Sequence, residues 1–286
     1  IHILDRLRET PLGARRQIPG LNPKRADILP AGVAVVARLC RHLGTQRLEI
    51  NDRGIRDGVL LNMIADRFGA QAAQRPEPLD RLERVRQFAQ KCRSNERHCG
   101  QVARLAGEMF DGLAGVYEMP AAGRDILTAA TLLHDIGYLI NHSKHHKHAY
   151  HLIMHGELPG FSAREVELIA NVARYHRRAV PRKRHPNFGR LDPADRRLVR
   201  QLAGILRVAD GLDRTHTQAI SGLRVVVEDD DVQVRVRSQR YPRVDVDDAR
   251  RKDKLFRRAF DAELTIEWIK ERQPHRAEGA GMGART

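Results

Sequence analysis

The chain has 286 residues, a hydrophobic fraction of 41% and a formal net charge of +15, which excludes a disordered chain and leaves room for a sizeable core in one to three domains. No apolar run approaches the ~20 residues of a membrane span, and the opening Ile1-His2-Ile3-Leu4 has no signal-peptide pattern, so a cytoplasmic protein without membrane partners is expected. The positive charge attracts phosphate-rich polyanions, or else only reflects an arginine-rich composition; with aromatics at 5% there is little to stack bases on, and nucleic acid is not an expected partner.

Residues 1–10 read as a helix tail broken by Thr10-Pro11-Leu12-Gly13. From Ala31 to Leu43, Val33, Val36, Ala37, Cys40 and Leu43 follow helical spacing, with Gly44 as the stop. Arg47-Leu48-Glu49-Ile50 alternates like a short strand. Asp52-Arg53-Gly54-Ile55-Arg56-Asp57-Gly58 is a polar turn, and a helix is expected from Val59 to about Phe68. This partial α/β segment, 1–70, is followed by a linker over 71–80 with Pro76 and Pro78.

Six amphipathic helices follow, at about 81–92, 96–116, 122–136, 146–155, 162–178 and 193–212, separated by Asn95, Pro120, Pro159-Gly160 and Pro181. They predict an all-α bundle over 81–215. The pattern then changes. Leu223–Val227 and Val232–Val236 alternate across Asp229-Asp230-Asp231, a hairpin signal. A helix over 248–261 and a strand over 263–268 complete a small α/β cap, 216–272, and the glycine-rich 273–286 is expected to be a flexible tail. The fold class expected is mainly α. Cys40, Cys92 and Cys99 are odd in number and form no C-x-x-C pair, so neither a disulfide framework nor a thiolate zinc site is expected.

The chemistry centres on Leu132-Leu133-His134-Asp135-Ile136-Gly137-Tyr138, where an apolar helical run ends in an adjacent imidazole and carboxylate and Gly137 offers a stop. Two protein groups rarely hold a divalent ion, so further ligands are needed. His98 upstream and Asp210 downstream both sit in helical patterns. His98, His134–Asp135 and Asp210 in this order resemble the ligands of the HD metal-dependent phosphohydrolases. The resemblance implies an HD-type helical domain binding Mn, Mg, Fe, Co or Zn, ions suited to mixed imidazole and carboxylate ligands. Asp135 and His134 are then the expected catalytic pair, with Asp135 orienting the attacking water. In two-metal HD proteins, later histidines hold a second ion; by position His148 or His145, together with His176, match that role. Lys144, Lys147, Arg177, Arg178 and Arg214 lie near these ligands in sequence and are candidate phosphate contacts.

Ala26-Asp27-Ile28-Leu29-Pro30-Ala31-Gly32, followed by Asp52-Arg53-Gly54-Ile55-Arg56-Asp57-Gly58, is similar to the closing segment of the exopolyphosphatase / guanosine pentaphosphate phosphohydrolase (Ppx/GppA) family. This resemblance reaches from residue 1 to about 270. It implies that 1–70 is the end of an actin-like phosphatase lobe, with an HD-type domain after it, while the family's first lobe has no counterpart in these residues. Arg53 and Arg56 either touch phosphates at the interlobe cleft or pair with Asp52 and Asp57. The implied activity is release of phosphate from polyphosphate or (p)ppGpp-like phosphoanhydrides, in a homodimer. Two other readings stay open: a stand-alone HD nucleotide phosphohydrolase, and a non-catalytic polyphosphate-binding or dimerisation module.

Overall fold

The computed structural model describes residues 2–18, 23–45 and 80–271, with Val59 and Met63, and the chain divides into two compact units, 1–77 and 78–286. In the first unit α1 (His2–Glu9), α2 (Leu12–Arg15) and α3 (Leu29–His42) are described, with α1 lying against α3. The α3 helix opens with Pro30 in its first turn, where a missing N–H costs nothing. It ends before Gly44, whose φ of +63° favours a residue without a side chain. The expected strand at 47–50, the turn carrying Arg53 and Arg56, most of the helix over 59–68 and the linker up to 79 lie outside the described residues.

In the second unit the helices are α4 (Arg81–Lys91), α5 (Glu96–Leu113), α6 (Ala122–Leu133), α7 (His145–His155), α8 (Ala163–Arg174), α9 (Pro186–Gly189) and α10 (Pro193–Gly211). Three have side-chain N-caps of the expected kind. Asn95 accepts from the His98 backbone N–H at 3.2 Å, Asp192 accepts from that of Asp195 at 2.8 Å, and Ser162 with Glu165 forms a capping box. The α10 helix is buried almost all round, from Leu198 to Ala209, so it is the axis on which α5, α6 and α8 pack. Each large apolar side chain withdrawn completely from water, such as Leu105, Leu127 or Ile169, contributes about 1.5–3 kcal/mol.

The hairpin is present as β1 (Gly222–Glu228) and β2 (Asp231–Ser238), antiparallel with Val225 opposite Val234 and Val227 opposite Val232. Val232, Val234 and Val236 alternate inward and are fully buried in one apolar cluster with the helices. Helices α11 (Arg243–Lys252) and α12 (Lys254–Phe260) form the crossover to β3 (Glu263–Lys270), which pairs parallel to β2. The single helix expected over 248–261 is therefore two, beginning earlier and divided at Asp253. The break lets both lie against α10. A Cβ on Gly211 would stand 2.5 Å from Ala249 Cα, so α11 touches α10 backbone to backbone only because residue 211 has no side chain. This contact brings Lys252 beside Asp210.

Candidate functional site

The α6 helix ends at Leu133, three residues short of expectation. His134 is its C-cap, Asp135 adopts φ −104° and ψ 0°, and Ile136–Leu139 form a turn of 3-10 helix. The backbone thus tightens just where the imidazole and carboxylate emerge. Gly137 is not the left-handed stop expected, because positive-φ glycines among the described residues are confined to Gly44 and Gly160. It is a spacer: a Cβ there would collide with the His145 carbonyl oxygen and stand 2.7 Å from the Ala149 nitrogen.

Six side chains converge on this corner, in two groups whose potential ligand atoms all lie within 4.8 Å of one another: His98, His134 and Asp210, and Asp135, His145 and His176. In the first, His98 Nε2 stands 3.4 Å and His134 Nε2 3.7 Å from Asp210 Oδ1. In the second, Asp135 Oδ1 is 3.3 Å from His145 Nε2 and 3.7 Å from His176 Nε2, and the two imidazole nitrogens are 3.3 Å apart. The other Asp135 oxygen, Oδ2, lies 3.5 Å from His134 Nε2, so its carboxylate joins the groups. Atoms ~2.1 Å from one ion stand about 3.0–3.4 Å apart, and these spacings are of that order.

All four rings turn the same edge outward. Nδ1 of His134 reaches the Thr131 carbonyl and Nδ1 of His176 the Ala173 carbonyl, each at 2.7 Å. His145 Nδ1 faces the His142 carbonyl at 3.2 Å, and His98 Nδ1 faces Asp213 Oδ2 at 2.8 Å. A proton on Nδ1 in each ring leaves Nε2 with its lone pair aimed inward, the usual support of a metal-ligating imidazole. One observation argues directly for an inward partner: His134 Nε2 is buried and has no hydrogen-bond partner among the described residues. Leaving a buried polar atom unsatisfied costs about 1–3 kcal/mol. The donor set of imidazoles and carboxylates fits a divalent transition ion.

Burial disfavours charge on His134, yet the carboxylates of Asp135 and Asp210 beside it outweigh that and raise its pKa well above the ordinary histidine value. His98 is raised in the same way, burial being outweighed by Asp210 and Asp213. Burial would lift Asp210, but the His134 and His98 imidazoles beside it and the Lys252 charge hold it well below the usual carboxylate range. In the second group burial prevails: His145 is lowered, and His176 falls to about 3 with the His134 charge adding to the effect. Neighbouring carboxylates thus favour the protonated imidazole in the first group, while burial favours the neutral ring in the second.

The corner opens into a cavity of about 290 Å³ whose lining includes Tyr138, Arg177, Arg178, Arg214, His216 and Lys252. Arg177 and Arg178 also line a neighbouring groove of about 720 Å³ with Lys144 and His142. Of the residues singled out from sequence, His98, His134, Asp135, Asp210, His145 and His176 meet, and Arg177, Arg178 and Arg214 face the same cavity. Lys144 belongs to the groove instead. His148 joins neither ligand group, since α7 begins at His145 and directs that first ring, one turn earlier, at Asp135. Lys147 is exposed and lines neither space. Three participants were not foreseen. Lys252 pairs with Asp210 at 2.8 Å and Asp248 at 2.7 Å; His216 stacks on His98 with ring centroids 3.9 Å apart; Arg207 is described below. Nothing near Lys252 in sequence marks it, because the Gly211 contact brings it in, whereas His216 follows two residues after Arg214.

Asp213 also holds the Gln218 N–H at 2.9 Å through its second oxygen, so it is a fixed support for His98. Asp213→Asn is expected to weaken the first group's hold on Mn(II) by about 10–100-fold, the usual cost of losing such a support; calorimetric titration measures it.

Fold and site define a mainly helical unit whose histidine–aspartate corner opens beneath a basic cavity. Residues 81–248 match the family Ppx/GppA phosphatase, domain III, and residues 2–67 match the Ppx/GppA phosphatase family. The chain belongs to the Ppx/GppA phosphatase family. It is 25% identical over 219 residues to a protein named guanosine-5'-triphosphate,3'-diphosphate pyrophosphatase from Pseudoalteromonas translucida (strain TAC 125), across 76% of this chain and 42% of that one. The chain therefore spans less than half the length of this curated relative. Among the described residues no helix is long and apolar enough to cross a membrane.

Proposed function

We propose that this chain is part of a phosphohydrolase acting on phosphoanhydride bonds of polyphosphate or of guanosine pentaphosphate-like nucleotides, and that its second unit is an HD-type domain holding two divalent ions. The observation that carries the metal reading is the buried, unpartnered Nε2 of His134 between two ligand groups joined by Asp135. Family membership carries the phosphate reading. An actin-like ancestry for residues 1–70, a homodimer and a cytoplasmic location belong to this reading as expectations from the family resemblance.

His98, His134 and Asp210 would hold one ion, and Asp135, His145 and His176 the other, with Asp135 shared. Bound there, a divalent ion supplies Lewis acidity, polarising a phosphoryl oxygen and lowering the pKa of water towards ~7. The rest falls to the chain. Arg177, Arg178 and Arg214 offer planar donor forks to phosphate oxygens at the cavity wall, and Lys252 adds a point charge. Asp213 and the Thr131, His142 and Ala173 carbonyls keep the Nδ1 protons out of the cavity. The groove shared through Arg177 and Arg178, lined by Lys144 and by no carboxylate, suits the continuing phosphates of a chain. It also favours a second reading, in which the domain guides polyanions without cleaving them.

Elemental analysis of the purified chain after Mn(II) loading is the test. About two ions per chain, lost on chelation and restored with metal, are expected; phosphate release by this chain alone would move the cleavage from the family's phosphatase lobe to this corner. Two ions without release would favour the guiding role, and a chain taking up no metal ends the metal reading. Arg177→Ala with Arg178→Ala is expected to weaken polyphosphate binding and flatten its salt dependence by roughly two phosphate contacts, by analogy with nucleic-acid phosphates. Titration at several salt concentrations reads that slope.

A further inference from the structure

Arg207 is 7% exposed, and among the described residues no carboxylate is hydrogen-bonded to its guanidinium. It instead donates to three main-chain carbonyls of one short segment. Nε reaches Tyr175 O at 2.7 Å, and Nη2 reaches Arg178 O at 3.0 Å and Ala179 O at 2.9 Å. That segment follows the end of α8 and carries His176, Arg177 and Arg178. It is not held by regular structure, and Arg178 has φ +61°, a conformation that costs a non-glycine residue about 1 kcal/mol or more. Burying a guanidinium is also costly; burial lowers its pKa to about 10, and it stays charged at neutral pH. Two unfavourable features are thus kept together where a hydrophobic side chain and an ordinary turn would be cheaper.

Position explains the pairing. Arg207 lies three residues before Asp210 on α10, so both share a helical face. One rigid, buried helix therefore presents a ligand of the first group and the clasp on the segment that carries a ligand of the second. We infer that Arg207 is the positioning residue of the second ion: its fork sets His176 Nε2 against His145 and Asp135, and Arg177 and Arg178 against the cavity, in register with Asp210.

This inference rests on the two-ion reading above. Its test compares the full chain with Arg207→Lys and Arg207→Met, measuring ions per chain, affinity for each and thermal melting. Lysine keeps the charge but cannot span three carbonyls, so both variants are expected to keep the first ion at close to wild-type affinity. The second should weaken by about 10–100-fold, as for loss of a group supporting a ligand. His176→Ala, with the clasp intact, should lose the same ion and identify it. Should Arg207→Met fail to fold, Arg207→Lys carries the decision. A wild-type chain that binds fewer than two ions defeats the underlying reading. A wild-type chain with two ions, and a folded Arg207 variant that binds both as tightly while merely melting lower, overturns the positioning role and leaves Arg207 structural.

Discussion

Asp135→Ala is expected to abolish both ions at once, whereas His134→Ala should abolish only the first. The distinction follows from where the carboxylate oxygens lie. Oδ1 faces His145 and His176, while Oδ2 faces His134, which belongs to the other group. Any hydrolysis carried out at this corner would lose its Lewis acid, worth several kcal/mol of charge stabilisation. Taking ~4 kcal/mol at ~1.4 kcal/mol per decade gives about a thousandfold fall in phosphate release. Metal content and single-turnover phosphate release, measured on the same preparations, check both halves. Loading is also linked to pH. The raised pKa values of His98 and His134 strengthen the competition between protons and an ion in the first group, so its affinity should fall as pH is lowered. In the second group His176, at about 3, has no proton to lose at neutral pH. Titrations in buffers of different ionisation enthalpy separate the two. A single alanine at Asp135 that left one ion tightly bound would show that the groups are not joined.

Much of this corner is legible in the sequence because its ligands sit on long amphipathic helices. Helical spacing around His98 and Asp210 places each near one end of a helix, the Asn95 cap fixes where α5 begins, and the His-Asp pair marks the end of α6. The turn-rich Asp229–Asp231 likewise announces the hairpin. What sequence does not disclose depends on contacts between distant residues. Lys252 reaches Asp210 because Gly211 admits α11, and spacing along α11 says nothing of that. Arg207 looks like one more cation in a chain of 51 lysines and arginines, and only the carbonyls of 175–179 give it meaning. The choice between His145 and His148 fell to a helix start one residue earlier than periodicity placed it, because imidazole-rich stretches carry no apolar signal at their ends. Gly137 shows the same limit from the other side, since a glycine after a helix is ordinarily a stop.

Gly137→Ala should therefore be the most damaging small substitution near the site. The added methyl meets main-chain atoms, the His145 carbonyl and the Ala149 nitrogen, which cannot rotate aside as a side chain would. Relief requires the 3-10 turn of Ile136–Leu139 and the start of α7 to separate. Overpacking of this kind costs about 1–3 kcal/mol, and contact with backbone puts it near the top of that range. For a domain of this size ~3 kcal/mol lowers the melting temperature by roughly 6–12 °C. The displaced element begins with His145, whereas His98, His134 and Asp210 stand on α5, the end of α6 and α10. The second ion should accordingly be lost before the first, at temperatures where helicity is intact. Melting followed by circular dichroism, beside Mn(II) titration at 20 °C, resolves the two effects. Wild-type melting in Gly137→Ala would mean that the turn and α7 are not in backbone contact, and the distance between His145 and Asp135 would need another cause.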